Sequence, residues 1–452
     1  MATYHDKLKQ LDHTYLWHPF TQMQEWMSED PIIISRAEGH YLVDDHGRKY
    51  LDGVSSLWCN VHGHRKKELD DAIKDQLDRL AHSTFLGLSH VPGIQLAQKL
   101  IEIAPRGLKR VFYSDSGATA VEIAIKMAVQ YWQLKGESQR IEIVSLAESY
   151  HGDTVGSMSI GYSETFHRFH KSLLFPVLRI TPPHVFRYYK GMSEADALEA
   201  AVREAEQKIT EHKTSLAALV MEPLMQGAAG MWSQPVGYLT ALGEICRRNE
   251  ILLILDEVAT GFGRTGKMFA CEHAGVMPDI LCMAKGITGG YLPLAATLTT
   301  EEIFSAFLGE YQEYKSFFHG HTYTGNPLGC AAALANLEIF AGESIVENMQ
   351  PRIANLQNSL REEILPLRHV SDVRQWGYMI GIELVEDKAS RKNFPAENRT
   401  GHKVILEARK HGVMIRPLGD VIILMPPLSM ADGELNLLLE VVHDCIRTVT
   451  EN

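Results

Sequence analysis

The chain of 452 residues has no run of about 18 apolar residues, so no membrane-spanning helix is expected. Its opening residues, MATYHDKLKQ, lack the apolar stretch of a secretory signal. No CxxC pair occurs among Cys59, Cys246, Cys271, Cys282, Cys330 and Cys445. Scattered thiols of this kind read as reduced cysteines of a cytoplasmic protein. A basic excess is also missing: 44 Lys and Arg against 56 Asp and Glu leave a net charge of −12, which disfavours nucleic acid as a partner. No internal repeat or low-complexity tract interrupts the chain, so neither a solenoid nor a disordered linker is expected.

Apolar runs that alternate with helix-period segments fill the middle of the chain. RVFYSDSG (110–117) reads as a strand entering a turn, and AVEIAIKMAVQYW (120–132) has helical spacing. IEIVSLAESYHG (141–152), SLAALVMEP (215–223), ILLILDE (251–257) and DILCMAKG (279–286) read as further strands. Continuous apolar strands separated by helices predict a mostly parallel sheet with both faces covered. The termini differ, with short strands at IIISRAEGHYLVD, MIGIELV and VIILMPP. The expected fold is α/β, with a large central domain over 61–335. A smaller α+β domain is expected from both termini, residues 1–60 and 336–452.

Polar residues gather just past the apolar runs, at the strand ends where open α/β sheets bind ligands. Asp256 ends ILLILDE, and Lys285 follows the next strand in MAKGITGG. Pyridoxal phosphate needs such a pair: a lysine for its aldehyde and a carboxylate for its pyridine nitrogen. Taken singly, each also reads as an ordinary strand-end or surface residue. Ser116, Gly117 and Ala118 in SDSGATAVE could open a helix whose free N–H groups take a phosphate; a plain N-cap is the alternative. Tyr150 in YHGD could stack on a ring, and Glu222 in VMEPLMQG could brace the site. GFGRTGK (261–267) fits a nucleotide-binding loop, but Met268 stands where magnesium needs Ser or Thr, and the loop follows an acidic strand. The pairs His62/His64 and His319/His321 lack acidic or Cys partners at ligand spacing, so no metal is expected. Arg416 in MIRPLGD could clamp a carboxylate or simply face solvent.

The series SDSGATAVE, YHGDT, MEPLMQG, LILDEVATGFGRTG, AKGITGG and HTYTGNP resembles the class III pyridoxal-phosphate aminotransferases of fold type I along nearly the whole chain. The resemblance implies that Lys285 carries the cofactor, Asp256 serves its pyridine nitrogen and Tyr150 stacks on its ring. It also implies a homodimer with shared sites, in which Thr322 holds the neighbouring subunit's phosphate. Phe20, Trp58, Gly320 and Arg416 are expected on the substrate side, with Arg416 on a carboxylate. WHPFTQM (17–23) and VSSLWCNVHGHRKKELDDAI (54–73) narrow the resemblance to enzymes that aminate an amino-oxo acid. Phe20 stands where many members have Tyr, Leu57 where they have Trp, and His321 where they have Pro. These departures favour lysine over S-adenosylmethionine as amino donor. The alternatives are an ω-amino acid or amine:pyruvate aminotransferase of the same family, and a non-catalytic cofactor-binding protein.

Overall fold

A computed structural model describes residues 3–451. Seven strands form the central sheet: β1 (Leu108–Ser114), β2 (Glu142–Leu146), β3 (Leu178–Ile180), β4 (Leu216–Met221), β5 (Leu252–Asp256), β6 (Ile280–Met283) and β7 (Ala295–Thr300). Their order is β1-β7-β6-β5-β4-β2-β3. β7 runs antiparallel to both its neighbours, and the remaining pairs are parallel. Every residue of β4, β5 and β6 is buried, as strands covered on both faces require. The five strands anticipated in the middle of the chain all form. β7 was not anticipated, because its AATLTT sequence alternates polar and small residues without a continuous apolar run.

Helix α1 (Gly117–Leu134) starts at the end of β1. Ser116 caps it, accepting from the Thr119 amide, while Thr119 returns a bond to the Ser116 amide. Its inner face packs on the sheet, where the Trp132 indole donates to the Ala217 carbonyl. A second long helix, α2 (Pro327–Gly342), is apolar on all sides because it is buried on most of them. Among the described residues, no single helix is long and apolar enough to cross a membrane.

Two smaller sheets flank this body. One joins Ile34–Glu38, Tyr41–Asp44 and Lys49–Asp52 to Val413–Met414. The other contains Val370–Trp376, Met379–Leu384, Val421–Leu424 and Arg416–Leu418, all antiparallel. Arg264 pins these parts together. It is 1% exposed and donates to the carbonyls of Asn60 (2.7 Å) and Pro426 (2.6 Å). Its own carbonyl accepts from the Tyr378 amide, and Gly377 lies hard against it.

A Cβ on Gly377 would stand 2.3 Å from the Arg264 oxygen, at a backbone φ of +58°. Gly377→Ala should therefore destabilise the fold by about 2–3 kcal/mol, read as a lower midpoint in urea unfolding.

Candidate active site

The carboxyl ends of β1, β2, β4, β5 and β6 open into a cleft of about 690 Å³. Trp58, Ser116, Gly117, Ala118, Tyr150, Glu222, Asp256 and Lys285 all line it. Of the residues anticipated for the site, the cleft of one chain leaves out Phe20, Gly320, Thr322 and Arg416. Phe20 meets Phe166 edge-on at 5.8 Å, and Phe166 in turn meets Tyr150 at 6.3 Å. Thr322 is exposed, and so is Arg416 on its short strand.

Lys285 sits two residues beyond the end of β6, with a left-handed φ of 47° that a lysine rarely adopts. Its amine lies 4.9 Å from the centre of the Trp58 ring. Burial pushes the amine's pKa down, opposed by the nearby carboxylates of Asp256 and Glu222. Trp58 is also left-handed, as are Ser55 and Ser56 just before it. This strained turn is held by Asp52, whose two oxygens accept from the Ser56 amide and hydroxyl, and by Ser55, which donates to the Met425 carbonyl.

Asp256 is 4% exposed. Its Oδ1 accepts from the Val258 amide at 3.0 Å, and His151 Nδ1 donates to its Oδ2 at 2.7 Å. The sequence reading passed over His151; its place after Tyr150, at the end of a strand neighbouring those of the site, was the available signal. Asp153 was likewise missed: it accepts from the Tyr150 hydroxyl at 2.8 Å. Glu222 accepts from the amides of Tyr150 (3.1 Å) and Gly227 (2.9 Å), so it fixes backbone on two sides of the cleft. Burial pushes its carboxyl pKa up to about 7.

At the other end of the cleft, the Gly117 and Ala118 amides occupy the first turn of α1, where no intrahelical acceptor exists. Close packing holds this turn. A Cβ on Gly117 would stand 2.5 Å from Val258, and one on Gly152 would stand 2.3 Å from the Ala118 methyl. Beside it, Asp115 Oδ2 accepts from His321 Nδ1 at 2.7 Å, tying the 319–324 loop to the same turn. A buried amine, a buried carboxylate and a helix N-terminus therefore share one cleft. They match the aldehyde, the pyridine nitrogen and the phosphate of pyridoxal phosphate.

Comparison with known proteins agrees with this donor set. Residues 23–446 match the family described as Aminotransferase class-III. The chain belongs to the class III aminotransferases. Family membership makes this chain a pyridoxal-phosphate-dependent aminotransferase of fold type I. It is 52% identical over 448 residues to the adenosylmethionine-8-amino-7-oxononanoate aminotransferase of Nitratidesulfovibrio vulgaris, covering 99% of this chain and 82% of that one. The crystal structure of the enzyme so named from Methanocaldococcus jannaschii superposes with a TM-score of 0.93 at 48% identity, covering 98% of this chain and 99% of that one. An amine transaminase from an uncultivated Pseudomonas species, solved with pyridoxal phosphate bound, superposes with a TM-score of 0.92 at 37% identity over 96% of this chain and 99% of that one.

Glu222 predicts a pH dependence. Its folded value of about 7 lies above its ordinary 4.5, so the folded state holds the proton more tightly. The stability this contributes is fully present below pH 4.5 and is lost as pH rises through about 7. Unfolding free energies of wild type relative to Glu222→Gln should fall by about 3 kcal/mol across that window. A flat difference would show that the carboxyl is not raised.

Proposed function

We propose that this aminotransferase converts 8-amino-7-oxononanoate to 7,8-diaminononanoate, a step of biotin biosynthesis, with L-lysine or S-adenosylmethionine as amino donor. The observation that carries the reading is the convergence of Lys285, Asp256 and the Ser116–Ala118 turn on one cleft. The names of the relatives support the substrate: those 44–52% identical over nearly the whole chain are named adenosylmethionine-8-amino-7-oxononanoate aminotransferase.

Bound pyridoxal phosphate supplies an aldehyde that condenses with amines and a ring that withdraws electrons from the adjacent carbon. The residues of this chain do the rest. Lys285 Nζ, whose charged form burial disfavours, would hold the aldehyde and, when free, would take the substrate's proton and return it. Asp256, oriented by His151 and the Val258 amide, keeps a proton on the ring nitrogen. Tyr150 covers the ring, and Glu222 holds the Tyr150 backbone in place. The amides at Ser116–Ala118 take the phosphate.

Trp58 walls the substrate side, and Phe20, Gly320 and Arg416 complete it, Arg416 binding the substrate's carboxylate. Thr322 reaches the partner subunit's phosphate in a homodimer. Leu86 (89%), Phe318 (74%) and Tyr323 (62%) are apolar side chains exposed in the single chain, which supports such a partner.

Purified protein should be yellow, and one donor alone should bleach it. Bleaching by L-lysine would assign that donor; bleaching by S-adenosylmethionine would give the donor in the relatives' names. Response to neither, with turnover of pyruvate, would replace this reading with an amine:pyruvate aminotransferase. Lys285→Ala should lower turnover at least about 10³-fold.

The shared site has its own test. Lys285→Ala and Thr322→Val subunits are refolded together, so that each mixed dimer holds one site with an intact lysine and an intact threonine. Activity above the sum of the two variants alone is the expected result. Simple additivity would place each site within one chain.

A further inference from the structure

The loop after Lys285 is gripped from behind by two buried polar side chains that the proposed chemistry does not use. Asn336 lies on α2 and is fully buried. Its Nδ2 donates to the carbonyls of Gly286 and Ile287, both at 3.0 Å. Two carbonyls can only accept, so the amide nitrogen must face them and Oδ1 must face away. Oδ1 meets His62 Nε2 at 2.8 Å, which makes Nε2–H the donor. His62 is 6% exposed, and its Nδ1 finds no hydrogen-bond partner among the described residues. Burial pushes the His62 pKa down to about 4, so the ring stays neutral and in one tautomer through the physiological range.

The loop fits closely against this pair. A Cβ on Gly289 would lie 3.1 Å from Asn336 Oδ1 and 3.6 Å from the His62 ring. A Cβ on Gly290 would lie 2.8 Å from the backbone of Cys59 and Asn60, and the Val61 amide donates to the Gly289 carbonyl. His62 therefore belongs to the segment that carries Trp58, while Asn336 belongs to the helix that starts just past Thr322. Hydrogen bonds thus link the lysine loop, the segment just after the tryptophan turn and α2.

We infer that Asn336 and His62 are positioning residues, which hold the 286–287 carbonyls so that Lys285 keeps its left-handed backbone and its amine points into the cleft. The physical reason is strain. A lysine at φ 47° relaxes unless its surroundings fix it; within the loop itself the bonds are a short turn and the contacts of Thr288 with Tyr291 and Leu292 beyond the lysine. Removing the donors of Asn336 also leaves the Ile287 carbonyl without that partner and the Gly286 carbonyl with the Gly289 amide alone, so the loop would rearrange to find other partners.

The inference rests on the role proposed for Lys285, and two readouts keep the two apart. Hydrogen exchange of the amides at 285–290 reports on the grip whatever the cofactor does. It should rise about tenfold in Asn336→Leu. The pH midpoint of the visible band reports on the lysine's attachment to the cofactor. It should move by about one unit, with kcat falling about tenfold and KM changing less than about twofold. His62→Phe should show the same changes more weakly. His62→Gln, which can still donate to Asn336 Oδ1, should recover most of that loss. Should Asn336→Leu fail to fold, the two His62 variants carry the test. Unchanged exchange and an unmoved midpoint, or equal behaviour of His62→Gln and His62→Phe, would overturn the inference. A colourless wild type with the expected exchange pattern would sink the function and leave the grip standing.

Discussion

An amine buried inside a protein beside two carboxylates is the constraint on which this site depends. Water favours the charged form of lysine, so a reactive Lys285 must be kept from water. Burial achieves that, but the same burial raises the cost of every carboxylate nearby. Each of those carboxylates is therefore saturated with donors. Asp256 has His151 and the Val258 amide, and Glu222 has two backbone amides. The strand ends supply such amides because the parallel ladder stops there and leaves N–H groups aimed outward. The chemistry of the cleft and the topology of the sheet thus answer one electrostatic requirement.

Strain accumulates at the same place. Trp58, Lys285 and the two serines before Trp58 all have positive φ without being glycine. Ser55 donates to the distant Met425 carbonyl, Ser56 donates to Asp52 four residues before it, and Asn336 from α2 donates to the carbonyls just after Lys285. Long-range contacts are a costly way to hold a loop, because they need the whole fold to be in place first. Their concentration around one amine fits a site in which position matters more than local stability.

Much of this was legible in the sequence. Asp256 and Lys285 follow continuous apolar runs, and a buried strand with a polar residue at its end announces itself by composition alone. The helix start at Ser116–Ala118 was equally readable, since Ser116 and Thr119 carry the capping chemistry in their side chains. β7 escaped because its sequence lacks the apolar run that marks the other strands. His151 and Asn336 escaped for a different reason. Their partners are Asp256, far along the chain, and the carbonyls of Gly286 and Ile287. A hydrogen bond across that separation leaves no periodicity, and a carbonyl leaves no trace in residue type. Phe20, Gly320, Thr322 and Arg416 stood in the sequence on resemblance alone, and they are the residues that one chain does not bring to its cleft.

The GFGRTGK segment shows how a motif's surroundings decide its chemistry. By spacing it could cradle phosphate with backbone amides and a lysine. In the fold its arginine, Arg264, is fully buried, and its two terminal nitrogens donate to the carbonyls of Pro426 and Asn60. Gly263 and Gly266 have positive φ and pack against Leu428, Phe340 and Ile353. The glycines therefore serve close packing, and the cation serves two carbonyls from opposite ends of the chain. Phosphate would have to displace both contacts and unpack the loop, whereas the first turn of α1 offers free amides without either cost. A glycine-rich loop beside an acidic strand is thus the clasp of this fold, and the free amides that suit an anion lie at a helix start that contains one glycine.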